Sequence, residues 1–190
     1  ERARARNQAA ALVSSLRDRS LLHVQPARRA GEAPRFDMYR SIAAYAGEKL
    51  VGDEAGAAEL RHAHYYVDAG AAWAEATHGH GGGEPLRLLS REIDNLAVIQ
   101  ERSLAARPRQ ASQLDLARRA ALAIAQVLQQ RGPWSLLASI LEAALAPKSR
   151  DVDRRIETQA RIAHARVLRD LGRAAEARRE AEAALNQARA

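Results

Sequence analysis

The sequence predicts an all-α fold, a helical-hairpin array carrying one small β-hairpin near its start, and three observations lead there. Aromatic residues are only 4% of the 190 residues while hydrophobic residues reach 47%. The core therefore rests on Ala and Leu, which suits closely packed helices better than sheets rich in Val, Thr and Tyr. Apolar residues recur at helical spacing over most of the chain. A helix–glycine–helix pattern also repeats at an offset of 40 residues, and helical hairpins in series stack because none can bury its apolar side alone.

Taken in order, residues 7–18 form an amphipathic helix through Ala9, Leu12, Val13 and Leu16. "LLHVQ" (21–25) reads as a strand, "PARRAGEAP" (26–34) as a loop, and "RFDM" (35–38) as the returning strand. The next helix buries Ile42, Ala46 and Leu50 and ends near Gly52. A helix over about 54–77 carries Leu60, Ala63, Val67, Ala71 and Ala74 on one side. "HGHGGGEP" (78–85) ends it, because Gly and Pro destabilise a helix interior. One helix then spans 86–106 through Leu89, Ile93, Leu96 and Leu104, "RPRQAS" stops it, and Ser112 with Asp115 caps the following helix. In the last third, "LQQRGPWSLLASILEAAL" (128–145) aligns with "LRDLGRAAEARREAEAAL" (168–185), so that Gly132 meets Gly172. Each glycine supplies the left-handed turn between antiparallel helices, and the small residues 177, 181 and 184 permit close approach.

Composition limits the function classes. There is no cysteine, which removes disulfides and thiolate metal sites and fits a reducing cytosol. No apolar run reaches the roughly 18 residues of a membrane span, so a soluble, cytoplasmic protein with no membrane contact is expected. The only methionine is Met38, which suggests a piece of a longer protein, and the Arg-for-Lys and Ala bias suggests a GC-rich bacterial source. Residues 1–50 hold 10 Arg and Lys against 5 Asp and Glu, while 51–190 hold 20 against 18, so +5 of the +7 net charge lies in the first quarter.

Two resemblances add to this reading. "ARVLRDLGRAAEARREAEAAL" has a glycine at the hairpin, Ala177 five residues on and Ala184 seven beyond it, and resembles a tetratricopeptide repeat. The first copy has Leu137 where a small residue is usual, and the linker "APKSRDVD" (146–153) accounts for an offset longer than the usual 34. Next, "LVSSLRDRSLLHV", "RFDMYRSIAAYAGEKL", "LRHAHYYVDAG" and "LSREIDNLAVIQERSL" resemble, in order, the segment after the nucleotide-binding module of bacterial STAND-type signalling ATPases, including LuxR-like and AfsR-like regulators. That resemblance implies a winged-helix remnant with a β-hairpin at 1–52 and a TPR-like array at 53–190. It places Phe36 on the wing strand, with Tyr39 and Tyr45 pinning the next helix against the wing and the first repeat. It also implies an ATPase or effector domain elsewhere in the same protein. No G-x-x-x-x-G-K-[ST] loop is present, since "GHGGGE" is followed by neither Lys-Ser nor Lys-Thr.

The chemical candidates weigh as follows. His62 and His64 lie two apart on a helix and point about 200° from each other, so they do not grip one ion. His78 and His80, with Glu75 or Glu84 nearby, sit at a loop whose ordering costs entropy. The pairs Asp151 with Asp153 and Glu92 with Asp94 have no apolar pocket to shift a pKa for acid–base work. We therefore expect no catalytic residues, cofactor or metal. The winged helix raises a nucleic-acid alternative, a transcription-factor fragment in which Arg17, Arg19, Arg28 and Arg29 meet phosphate. The leading expectation is a non-catalytic interaction module. Alignment on the two glycines puts Arg119, Gln126 and Gln129 in one copy, and Gln159, Arg166 and Arg169 in the other, at the positions lining the concave side of tetratricopeptide arrays. Residues 155, 159, 162, 166 and 169 form one helical stripe, and Arg with Gln suits the carboxylates and amides of a protein or peptide partner.

Overall fold

In a computed structural model, the residues described are 2–26, 34–79, 82–106, 110–149 and 151–189, with backbone alone for 2–6. Among them the chain is all-α apart from one hairpin. The elements are α1 (Arg2–Asp18), β1 (His23–Gln25), β2 (Arg35–Asp37), α2 (Arg40–Lys49), α3 (Gly52–Ala76), α4 (Gly83–Arg91), α5 (Ile93–Ala105), α6 (Ala111–Arg131), α7 (Trp134–Leu145), α8 (Arg154–Asp170) and α9 (Ala174–Arg189). Contacts divide the chain into two compact units, Glu1–Ala58 and Glu59–Ala190.

The first unit holds the hairpin, antiparallel with Val24 opposite Phe36. Its register sets His23 against Asp37, 3.7 Å apart, and the His23 ring stacks on Tyr39 at 4.9 Å. All three aromatic residues around this junction are exposed, and Tyr39 meets the hairpin at the His23 ring. Tyr45 is exposed, with the Lys49 ammonium above its ring. The expected apolar side of α2 is not buried: Ile42 is half-covered, Ala46 and Leu50 are exposed, and no residue of this helix is buried. Ten residues with few large apolar side chains offer too little area to seat a helix firmly.

The second unit carries the core. Val67 of α3, Leu89 of α4, Leu96 and Ile99 of α5, Ile124 of α6, Leu137 and Leu141 of α7 and Val167 of α8 join one buried cluster. α5 packs on α6, α6 on α7, and α8 on both α6 and α7 before pairing with α9. Helix α3 comes close to α6 at Gly70, where an added Cβ would stand 3.2 Å from that of Ala123. Gly132 and Gly172 turn the two hairpins at φ of 69° and 76°, in the left-handed region that favours glycine.

Two expectations give way here. The single helix over 86–106 is two, because the chain turns at Glu92, whose amide bonds the carbonyl of Leu89 instead of continuing the α-helical ladder. On both sides of the break apolar residues face the core, Leu86 with Leu89 and Leu96 with Ile99. The cap of α6 is not Ser112 with Asp115 but a reciprocal box of Gln110 with Gln113. Asp115 is drawn elsewhere: its carboxylate accepts the Asp153 amide at 3.1 Å. Asp153 in turn caps α8, accepting from the amides of Arg155 and Ile156. The linker is thereby tied to α6, with Val152 buried and the Pro147 carbonyl accepting from Arg118.

His164 of α8 is buried, and neither ring nitrogen has a hydrogen-bond partner. Burial pushes its pKa below the ordinary value; Glu180, 3.7 Å away, together with Glu142 and Glu176, opposes that shift, and Arg173 adds to it. The unfolded chain therefore binds this proton more readily than the folded one, and stability falls as pH drops below about 6.5 toward the folded value. Thermal melts at pH 7.5 and 5.5 should show a lower midpoint in acid. His164→Gln should remove part of that difference; an undiminished difference would assign it to other groups.

Candidate functional site

The second unit contains a trough of about 600 Å³ with its floor on α6 and its sides on α3 and α8. Its floor follows from helical periodicity: Arg119, Leu122, Gln126 and Gln129 lie at intervals of three and four along α6 and share one side. Arg155, Gln159, Ile162 and Arg166 do the same along α8. From α3 come Ala71, Ala74 and Glu75, with His78 just beyond. The small residues of α3 leave room, and the long polar side chains of the other two helices supply the chemistry.

Of the sequence-derived groove residues, the trough thus brings together Arg119, Gln126, Gln129, Gln159 and Arg166. Arg169 lies one turn further, in the neighbouring cleft between α8 and α9, which Arg166 also reaches. Arg169 pairs with Asp170 at 2.9 Å, and Arg119 with Asp68 of α3 at 2.7 Å. The side chains of Arg155 and Arg166 make no hydrogen bond or ion pair among the described residues. Two unneutralised guanidiniums beside three primary amides provide directional donors for carboxylates and both donors and acceptors for peptide groups. Among the described residues, Glu75 at the α3 end supplies the single carboxylate in the lining. The contribution of α3 escaped the sequence reading, since nothing in its alanines distinguishes a trough wall from a buried seam.

The other candidates are placed differently. His62 faces Asn95 at 3.3 Å, and His64 is exposed. His78 Nδ1 lies 3.4 Å from the Glu75 carbonyl, and His80 lies outside the described residues. No group of three metal-ligating side chains occurs among the described residues. Asp153 is a helix cap, as above, and Glu92 accepts from Asn95 at 2.7 Å. Arg17 and Arg19 are exposed at the end of α1, with Arg17 paired to Asp18; Arg28 and Arg29 lie outside the described residues. No described helix is long and apolar enough to cross a membrane. No family model, curated protein or solved structure matches the chain.

Proposed function

We propose that this chain is a non-catalytic, cytoplasmic interaction module of a multidomain bacterial signalling or transcription-regulatory protein. Its trough takes an extended, acidic segment of a protein partner. The carrying observation is the convergence of Arg155, Arg166, Gln126, Gln129 and Gln159 on one concave surface, with both arginines outside any ion pair among the described residues. Such a lining reads carboxylates through the arginines and the backbone of an extended peptide through the amides. The order of helix, hairpin, helix and stacked helical hairpins supports a kinship with the winged-helix and TPR-like segment of STAND-type ATPases. On that reading, occupancy of the trough biases the state of an ATPase or effector domain in the same protein.

The test is a pull-down from the source organism followed by titration of the captured partner. Arg155→Ala with Arg166→Ala should weaken capture at least about tenfold and flatten its salt dependence. An unchanged catch would remove the trough from the interaction. The alternative is DNA binding by the first unit, where Arg19 and Arg17, the latter paired to Asp18, are exposed. Salt-sensitive duplex binding lost in Arg17→Ala with Arg19→Ala would restore it.

A further inference from the structure

The direction in which the helices run sets the order of side chains along the trough. The Asp153 amide meets the Asp115 carboxylate at 3.1 Å, and further along Glu157 lies 3.7 Å from Arg118. Helix α8 therefore runs beside α6 in the same direction. Arg155 stands near the start of the trough, and Arg166 stands abreast of Gln126 and Gln129 further along. Between the two arginines the lining turns apolar at Leu122, half-buried, and Ile162, 40% exposed.

We infer that the segment taken by the trough carries two carboxylates four to six residues apart with an apolar side chain between them. The inference rests on the reading of the trough as a site for an extended acidic peptide, and adds the spacing that such a peptide needs. Eleven positions separate Arg155 from Arg166, roughly 16 Å at a helical rise of about 1.5 Å per residue. Side chains on a helix all tilt toward its N-terminus, which carries this separation out to the guanidiniums. Neither arginine is in an ion pair among the described residues, so each is available to a carboxylate of its own. An extended chain rises about 3.3 Å per residue and shows every second side chain to one side. Carboxylates four or six residues apart, about 13 or 20 Å, are then within reach of two flexible arginine side chains, whereas two residues span only about 7 Å. Leu122 and Ile162 face the middle of that span, where an apolar side chain gains burial and a charged one loses hydration.

The probes are fluorescein-labelled, C-terminally amidated peptides of equal length and composition, each with two Glu and one Leu between them in a Gly-Ser background. They differ only in the separation of the carboxylates, which is two, four, six or ten residues, so net charge is the same throughout. Anisotropy with the full chain should show the tightest binding at four or six, at least about tenfold tighter than at two or ten. In the best peptide, Glu→Gln at either position should weaken binding about tenfold. Arg155→Ala should make one of these replacements silent and Arg166→Ala the other, as two separate contacts require. Both arginines are exposed, so circular dichroism should show unchanged helicity. Affinity independent of spacing, or one glutamate that couples to both arginines, would overturn the inference and leave the trough as an acidic-peptide site. Tightest binding at ten, the separation at which a helical peptide spans about 15 Å, would make the occupant a helix and overturn it. Binding by none of the peptides would overturn it together with the extended-peptide reading. A dimer in sedimentation equilibrium that Arg155→Ala with Arg166→Ala dissolves would also overturn it, making a second copy the occupant.

Discussion

Arg118→Ala is expected to lower the stability of the second unit by about 3–5 kcal/mol, the cost of breaking a buried charge cluster from one side. Arg118 is fully buried on α6. Its guanidinium lies 3.7 Å from Glu157 and 3.8 Å from Asp115 and donates to the Pro147 carbonyl at 3.2 Å. It thus joins α6, the linker and α8 at one point. Two of its nitrogens, Nε and Nη1, have no hydrogen-bond partner, and burial works against its charge while Glu157 and Asp115 sustain it. Alanine leaves both a cavity and a half-neutralised Glu157, whose remaining partner is Arg161 at 2.9 Å. The melting midpoint should fall on the order of 10 °C. Arg118→Met, which refills the space without the charge, should lose markedly less. A midpoint for Arg118→Ala within about a degree of the parent would refute the assignment of this arginine as the clamp between repeats.

Leu141→Ala should cost about 2–5 kcal/mol in urea denaturation with an unchanged slope, the range for emptying a well-packed leucine site. Leu141 is fully buried at the seam where α8 crosses α7. It shares its buried cluster with Ala163 and Val167 of α8, and a close-packed seam relaxes little into the space. Leu185→Ala, at the position equivalent to Leu145 on the second pair, removes the same atoms from a half-exposed site. It should change stability by no more than about 0.5 kcal/mol. Equal losses at the two positions would contradict the difference in their burial.

The comparison between these leucines shows how much could be read in advance. The repeat register, anchored on Gly132 and Gly172, gave the hairpin array and the sides of α6 and α8 that carry Arg119, Gln126, Gln159 and Arg166. Helical periodicity converts spacing directly into a shared face, so those residues could be grouped without coordinates. The turn at Glu92 could not be read, because it contains neither Gly nor Pro and the apolar spacing runs through it at helical period. The cap of α6 was missed for a related reason: Asp115, the better acceptor by residue type, is engaged by the Asp153 amide across the linker.

By itself, then, the sequence determined the helical class, the hairpin and the stripes on each helix, since all of these follow from local spacing and turn chemistry. Only the tertiary structure decided which stripe meets which. It set α3 as the third wall of the trough and left Arg155 and Arg166 outside any ion pair among the described residues. Those outcomes depend on contacts between residues far apart in the chain, where packing and burial rather than propensity set the energy.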